Sequence, residues 1–384
     1  MNKLFIGMDI SKNDVKIYIL DQSGDDATKR FAIDNNTIGA QTLIDTVVKC
    51  CQTLAVTKVF FGYESTSVYG TPLQYFLADN LKLKDFNPSI ICFNAKIIEK
   101  FKGSLGNLPK NDWIDAFSIA ERLRFGRLPN SCPVDFRYMA LQRLTRHRFH
   151  IVGNIVREKN YFLTNLFLKF NGLCQNNVFS NTFGGVATEI LNEFASLDEI
   201  AARPLNELVD FIVEKGKDHF VDPVTTAKAL QDAVTKSFKP NKSVDNSLNF
   251  VIRSCLENIK SMEKQKKAVE KAIQNEVIHF KNEYTALTSV KGIGPVIAAG
   301  IISEVGGIHR FDNDNALAKF SGLYWSEYQS ADFVAEDTYI RRTGNEYLRY
   351  YFVQAADQLR KYLPEFNEYY SRKFNLNAEK SPSS

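Results

Sequence analysis

Two short apolar runs near the N-terminus constrain the fold of this chain most strongly. Residues 4–8 and 59–63 are each as long as one buried strand. Each run stops at an acid, Asp9 or Glu64. Residues 40–54, between the runs, carry apolar side chains at helical spacing. Apolar strands separated by a helix are typical of a sheet covered by helices, so the sequence predicts an α/β domain at this end of the chain.

Further segments indicate the order of elements in this domain. Residues 15–20 and 30–33 read as two more strands after the first run, and residues 71–80 have the pattern of a helix. Three hairpin-like strands followed by strand–helix alternation is the order of a ribonuclease-H-like α/β domain. We assign it to residues 1–135.

A basic segment follows, from Arg137 to Gly172. It holds seven Lys and Arg residues against one acid, Glu158, with aromatic residues interleaved and apolar residues near helical spacing. We predict a long helix whose apolar stripe packs in a core. Guanidinium groups and rings also suit nucleic acid, which makes three arginines candidate RNA or DNA contacts. They are Arg143, Arg146 and Arg148.

Apolar residues then recur at heptad spacing from Leu248 to Phe280, with polar breaks at Lys266 and Glu276. Two structures fit this pattern: a coiled-coil arm, or a long helix packed on a neighbour in the same chain. We assign residues 136–284 to a helical linker and coiled-coil arm. A mainly helical C-terminal domain is predicted over residues 285–374, and residues 375–384 are predicted to be a frayed polar tail.

Composition excludes several classes of protein. Hydrophobic residues make up 44% of the 384 residues, and 29 Phe and 16 Tyr are too many buriable rings for a disordered chain. The longest apolar stretches fall short of a membrane span, and the N-terminus lacks a signal-peptide segment. The six cysteines form no C-x-x-C pair. We therefore expect a cytoplasmic protein without a membrane partner. The net charge of +4 predicts no partner by itself.

Four carboxylates stand at positions where they can converge. Asp9 and Glu64 each end a predicted strand, and Asp112 and Asp115 are three residues apart, on one face of a helix. Clustered acids repel one another and need cations, and oxygen ligands suit Mg²⁺. Two such ions can polarise a phosphodiester. Alternatively, acids at strand ends are turn residues, and Asp112 is a helix N-cap.

A glycine-rich turn, Lys291-Gly292-Ile293-Gly294, joins two helical stretches near the start of the C-terminal domain. This is the pattern of a helix-hairpin-helix element. Its glycines let backbone N–H groups approach a DNA phosphate, without reading the base sequence. An ordinary helix–helix turn is the alternative.

Taken together, these segments resemble the DEDD insertion-sequence transposases, the family that includes bridge-RNA-guided recombinases and pilin-gene invertases. The resemblance covers about 220 residues at the two ends of the chain, in the same order as in the family. Asn111 and Trp113 depart from the family pattern around the last two acids. The similar segments are residues 7–12, 63–66, 110–116, 292–295, 303–306, 311, 321–323, 329–330 and 342–349.

The resemblance implies a RuvC-like domain and a second domain with a catalytic serine. The implied ligands of two Mg²⁺ ions are Asp9, Glu64, Asp112 and Asp115. The implied nucleophile is Ser330. Because Ala331 stands where the family usually has glycine, Ser326 is a rival for this role. Arginines near the serine are predicted to hold DNA phosphates. They are Arg341, Arg342 and Arg349.

The implied activity is site-specific recombination that moves an insertion sequence in a bacterial or archaeal cell. The implied partners are donor and target DNA, a structured guide RNA and further copies of the chain, as dimers that pair into tetramers. A RuvC-like nuclease, a DNA invertase of the same family and an inactive nucleic-acid-binding relative are the alternatives. The target sequence and the identity of the guide RNA do not follow from the sequence.

Overall fold

The chain divides into two compact units, Met1–Phe136 and Arg137–Ser384. A computed structural model describes residues 2–65, 68–106, 111–128, 135–176, 178–179, 181–193, 197–216, 222–325, 329–330, 333–334, 340 and 343–380.

The first unit is built on a mixed five-stranded sheet in the order β3-β2-β1-β4-β5. Strands β1, β2 and β3 pair antiparallel, whereas β4 runs parallel to both β1 and β5. This arrangement is consistent with the predicted ribonuclease-H-like domain. The strands are β1 (Asn2–Ile10), β2 (Asp14–Leu20), β3 (Phe31–Asp34), β4 (Val56–Glu64) and β5 (Ser89–Phe93).

Helices cover both faces of this sheet. On β1, Leu4, Ile6 and Met8 pack in one core with the first helix of this unit. Phe5, on the other face, packs in a second core with the last helix of this unit. Burial on both faces explains why β1 is a continuous apolar run. The sequence did not predict strand β5, the helix directly before it (α3) or the helix directly after it (α4). The helices are α1 (Thr37–Thr53), α2 (Gly70–Ala78), α3 (Leu81–Lys84), α4 (Ala95–Ser104) and α5 (Asp112–Phe125).

Two glycines let α5 lie close to the sheet. Gly7 of β1 and Gly62 of β4 are paired in register. A Cβ on Gly7 would lie 2.0 Å from the carbonyl oxygen of Ala116, and a Cβ on Gly62 would lie 3.0 Å from side-chain atoms of Ile119. Any side chain at Gly7 would therefore push α5 away from the strands.

The second unit begins with long and short helices that surround one apolar core. The predicted basic helix is present as α6. A 3-10 turn, Val277–Phe280, follows the last of these helices. The helices are α6 (Phe136–Lys169), α7 (Asn171–Gln175), α8 (Gly185–Glu193), α9 (Leu197–Ala202), α10 (Leu205–Gly216), α11 (Pro223–Thr235) and α12 (Lys242–Glu276).

The heptad stripe of α12 packs inside its own chain. Its N-terminal part shares a core with Phe162 and Leu166 of α6, and its C-terminal part, at Ile273, shares another core with Leu141 of α6. The two helices therefore run antiparallel. Of the two structures predicted for this stripe, the one observed is the long helix packed on a neighbour of the same chain.

In the remaining elements, α14 is buried from Ala298 to Val305 and packs against α13, α15 and α16. The predicted frayed tail begins inside a helix, because residues 375–380 continue α17. In the described part of the chain, no helix is both long and apolar enough to cross a membrane. These elements are α13 (Lys281–Thr288), α14 (Pro295–Val305), α15 (Asp314–Ser321), β6 (Gln329–Ser330), β7 (Phe333–Val334), α16 (Glu346–Tyr362) and α17 (Pro364–Lys380).

Candidate active site

Two of the predicted site residues, Asp9 and Glu64, lie on the same face of the sheet. Side chains alternate along a strand, so Asp9 points to the same face as Gly7, and Glu64 to the same face as Gly62. That is the face covered by α5. Both acids come just after the last paired residues of these parallel strands, so they lie side by side at one edge.

The first turn of α5 supplies the other two acids. Asn111 caps the helix, since its side-chain oxygen accepts a hydrogen bond from the Ile114 N–H at 2.9 Å. Asp112 is the first helical residue and not the cap, which excludes one of the structural roles considered for it. Asp115 follows one turn later. Trp113 lies beneath a cation, with the Arg30 guanidinium 5.2 Å from its ring centroid.

The charges of these acids act on one another. Burial, followed by repulsion from Asp115, Asp112 and Asp14, raises the pKa of Asp9 to about 6. Burial, followed by repulsion from Asp115 and Asp9, also raises the pKa of Glu64. Asp9, Glu64 and Asp115 therefore form one acidic cluster, and Asp112 acts on Asp9 from the more exposed end of α5.

The side chain of Lys102 brings a cation into this cluster. The Lys102 ammonium of α4 donates a hydrogen bond to Asp115 Oδ1 and forms an ion pair with it. Its charge lowers the pKa of both Asp9 and Glu64, against the effects of burial and repulsion. Nothing in the sequence pattern indicated Lys102, because its position depends on how α4 packs on α5.

The acidic cluster has the donor chemistry of a site for a hard divalent cation. Carboxylate oxygens are the ligands that Mg²⁺ prefers, and burial together with the neighbouring acids raises the pKa of Asp9, so its charge lacks a sufficient counter-charge. Among the described residues, no three His, Cys, Asp or Glu side chains are already grouped closely enough to bind one ion. The residues thus match such an ion in the chemical type of their donor atoms.

The predicted nucleophile, Ser330, lies in the second unit on a small β-hairpin. Ser330 of β6 pairs with Phe333 of β7 in antiparallel register. An isolated bridge between Trp325 and Ile340 lies outside this pair. The rival serine, Ser326, is outside the described residues, as are Arg341 and Arg342.

The backbone segments before and after the loop that carries this hairpin pack tightly against each other, and we call this contact the neck. A Cβ on Gly344 would lie 2.5 Å from the backbone nitrogen of Gly322 and 2.6 Å from the carbonyl oxygen of Phe320. The Asn345 N–H donates to that same carbonyl at 2.8 Å. The Asn345 side chain in turn caps α16, accepting from the Tyr347 and Leu348 N–H groups. Gly344 and Asn345 thus fix where the loop returns to the helical core.

A buried carboxylate anchors this neck to the rest of the unit. Glu304 of α14 has a fully buried side chain. It accepts two hydrogen bonds from the Arg146 guanidinium, at 2.8 and 2.9 Å, and one from the Asn345 amide at 2.7 Å. Gln142 adds a longer contact at 3.3 Å. Arg146 also stacks over the Tyr347 ring, 4.4 Å from its centroid. Glu304 therefore joins α6, α14 and α16.

Replacing Glu304 by alanine should destabilise the protein by about 3 kcal/mol, because it leaves Arg146 and the Asn345 amide without their buried partner. Glu270→Ala is the matched control. It breaks the more exposed Arg148–Glu270 pair at 2.8 Å and should cost less than about 1 kcal/mol. Urea unfolding of the two variants measures both losses. Equal losses would show that the Glu304 network adds nothing beyond a surface ion pair.

The three candidate arginines of α6 differ in their surroundings. Arg146 is bound to Glu304 and Arg148 to Glu270, so both guanidinium groups are engaged inside the chain. Arg143 is exposed. On α16, Arg349 donates to the Ser321 carbonyl oxygen at 3.2 Å and, with Arg146, lines an open cleft of about 320 Å³ beside the neck.

Sequence reasoning missed a ridge of lysines on α12. Its acids Glu263 and Glu270 face α6, where they pair with Lys159 and Arg148. Four exposed lysines at 4-3-4 spacing lie on a neighbouring face of the helix, about 80° around its axis from these acids, a signal that the sequence alone contained. We call this set the lysine ridge. It consists of Lys260, Lys264, Lys267 and Lys271.

The glycine-rich turn joins α13 and α14 as a tight connection. Gly292 has a φ of +103°, which favours glycine, and a Cβ there would lie 3.1 Å from the Gln358 backbone. Gly294 precedes Pro295 at the start of α14, and nothing lies within 4 Å of its Cβ position. Lys291 is exposed. The turn therefore packs on α16 through Gly292 and is open at Gly294.

Two protein families match the two ends of the chain. A transposase family model of the DEDD type, named for IS110, matches residues 6–170. The model of the transposase IS116/IS110/IS902 family matches residues 284–371. Together they cover about two thirds of the sequence. No curated protein matches the chain.

The fold and these matches define an enzyme of DNA transposition, a transposase or recombinase that acts on DNA. The chain belongs to the IS110-type transposase family.

Proposed function

We propose that this transposase cuts and rejoins DNA at specific sites, with the acidic cluster of the first unit and Ser330 of the second as its catalytic groups. The observation that carries the proposal is the placement of Asp9 and Glu64 at neighbouring strand ends, on the sheet face that α5 covers. A protein that only binds DNA gains nothing from collecting carboxylates, since they repel a polyanion.

The acidic cluster is proposed to hold two Mg²⁺ ions through Asp9, Glu64, Asp112 and Asp115. When bound, such ions supply electrophilic polarisation of a phosphodiester. The carboxylates come from two neighbouring strand ends and from the first turn of α5, which the Asn111 cap fixes in place. The proposal requires the two units to bring Ser330 to this cluster in the assembled complex.

Ser330 is proposed to attack the phosphorus atom. Its Oγ loses a proton and bonds to phosphorus, the P–O bond to the departing strand breaks, and that strand end takes up a proton as a free hydroxyl group. The bond energy stays in this linkage and is available for rejoining to a second strand. The neck formed by Gly344 and Asn345 supports this role, because it fixes the return of the loop that carries the serine.

Nucleic acid is proposed to contact the second unit at four places: the lysine ridge, Arg143, Lys291 and the arginines beside the serine loop. The lysine ridge presents its ammonium groups from positions about 4.5–6 Å apart along the axis of α12, so several of them can contact one nucleic-acid backbone. Arg143 and Lys291 are exposed. Arg341, Arg342 and Arg349 are proposed to hold phosphates beside the serine loop. A structured guide RNA and assembly of dimers into tetramers remain proposals, supported by the family resemblance.

A strand-transfer assay tests the proposed function. Purified chain, Mg²⁺, transcribed RNA from the flanks of its element, and supercoiled donor and target plasmids should yield joined products. Omitting the RNA should abolish joining. Cleavage without joining would favour a nuclease, and joining without RNA would remove the guide from the proposal.

Gly294→Val should weaken DNA binding by about tenfold without changing which sequences are preferred. The new side chain enters open space beside the N-terminus of α14, where it would block the approach of a phosphate to the backbone N–H groups. Because such contacts do not read bases, the loss should be uniform across sequences. The slope of log affinity against log salt should fall by about 1.

Gly292→Ala separates binding from folding in the same turn. Its φ of +103° and its contact with the Gln358 backbone predict a loss of thermal stability, which Gly294→Val should not show. Binding titrations on several DNA duplexes at three salt concentrations measure the first effect, and thermal melts measure the second. A change in sequence preference for Gly294→Val would argue against the phosphate contact.

A further inference from the structure

The packing of α4 against α5 places Lys102 beside the acidic cluster. Helix α4 lies against α5, with Ile98 in the same core as Ile119. The Phe101 and Phe125 rings are 5.8 Å apart in the same contact. One turn of α4 beyond Ile98, the Lys102 ammonium reaches Asp115 Oδ1. Its side chain is 21% exposed, which leaves a route to solvent.

An ammonium group and a metal ion compete for the same oxygen. Lys102 offers one positive charge and three N–H donors, and a single charge neutralises only part of a cluster of several acids. A divalent ion needs oxygens of Asp115 as ligands, and Oδ1 already accepts a hydrogen bond from the Lys102 ammonium. Lys102 and the ion also repel each other, since both would lie close to Asp9 and Glu64.

We propose that Lys102 is an exchangeable counterion: it holds Asp115 in the metal-free enzyme and leaves it when a divalent ion binds. This inference rests on the proposed metal site. Lysine suits the role because its flexible stem lets the ammonium move while α4 stays packed. Once released, the ammonium remains beside the catalytic edge of the sheet, where a DNA phosphate can replace Asp115 as its partner. Metal and DNA should therefore promote each other's binding.

Direct metal titration of the full chain tests this exchange. Free Mn²⁺ is measured by electron paramagnetic resonance as protein is titrated, so the readout does not depend on catalysis. Lys102→Met keeps the length of the side chain and removes its charge. We expect it to bind Mn²⁺ about tenfold more tightly than the wild type, because the competing ammonium is gone. Lys100→Met, an exposed lysine of the same helix, should leave the affinity unchanged.

Lys102→Arg provides a variant that keeps the charge. A guanidinium can grip both oxygens of Asp115, so it should be harder to displace and should weaken Mn²⁺ binding several-fold. Adding an uncleavable DNA duplex should tighten Mn²⁺ binding to the wild type and have less effect on Lys102→Met.

Two results would overturn the exchange, and they have different meanings. Equal or weaker Mn²⁺ binding by Lys102→Met, with the wild type binding normally, would show that Lys102 stays in place when metal binds. That result would leave the metal site itself intact. Absence of Mn²⁺ binding in both proteins, with or without DNA, would remove the proposed metal site and the exchange with it.

Discussion

Replacing Ser330 by alanine should abolish strand exchange in a protein that still folds and still binds DNA. The substitution removes one oxygen atom from a two-stranded hairpin, so the free energy of unfolding should change by less than about 1 kcal/mol. DNA affinity depends on many phosphate contacts and should be nearly unchanged. Without the hydroxyl there is no atom to carry the DNA end, so no product should be joined.

A covalent adduct is the most direct measurement of this role. Wild-type protein incubated with a nicked substrate should leave a protein–DNA species that survives denaturing electrophoresis, and Ser330→Ala should leave none. Ser326→Ala is the matched comparison, since it removes the same atom four residues earlier in the chain. It should still form the adduct if Ser330 is the nucleophile.

The alternative outcomes separate three mechanisms. Adduct formation by Ser330→Ala but not by Ser326→Ala would transfer the role to Ser326. Loss of the adduct in both variants would indicate that the loop as a whole is required. If neither substitution affected joining or the adduct, the covalent mechanism would be wrong. A chain that cuts DNA in Mg²⁺ without any adduct uses water as its nucleophile.

The N-terminal fold could be predicted from sequence because its strands carry local signals. The apolar runs that end at Asp9 and Glu64 are β1 and β4, and the order of elements predicted the α/β domain. The approach of α5 could not be predicted in the same way. It depends on Gly7 lying opposite Gly62, a pairing between residues more than fifty positions apart in the chain.

The predictions for α6 and for the site were limited because the side chains that pair there lie far apart in the sequence. Arg146 and Arg148 look like nucleic-acid contacts in a basic helix, yet each is bound to a glutamate more than a hundred residues away. The sequence could show their charge but not the acid opposite them. Lys102 was missed for the same reason, since only the packing of α4 on α5 brings it to Asp115.

The heptad stripe of α12 illustrates a different limit. Heptad spacing reports that one face of a helix is covered and does not report by what. In this chain the cover is α6, with ion pairs such as Lys159–Glu263 along the seam. Partner choice is a property of tertiary structure, so both structures fit the sequence equally well.

Asp9→Asn should abolish cleavage and, in the absence of metal, raise thermal stability. The side chain keeps its size but loses the charge that a divalent ion requires, so cleavage in Mg²⁺ should fall below detection. Asp9 carries its charge against burial and three neighbouring acids. Removing that charge at pH 7 should therefore stabilise the metal-free protein, by about 1–2 kcal/mol once solvent screening is allowed for.

The stability difference between the wild type and Asp9→Asn should change with pH in a definite direction, which an unrelated folding defect would not produce. The pKa of Asp9 is raised from 3.8 to about 6 in the folded protein, so the folded state binds the proton more tightly than the unfolded state does. The cost of its charge is fully present at pH 7 and is relieved as the pH falls through 6. Metal-free wild type should thus gain stability relative to Asp9→Asn between pH 7 and pH 5, and thermal melts of both proteins across that range measure the difference. A stability difference that did not change between pH 7 and pH 5 would mean that Asp9 is not the acid of the cluster whose charge destabilises the fold. Cleavage by Asp9→Asn at the wild-type rate would remove this residue from the catalytic site.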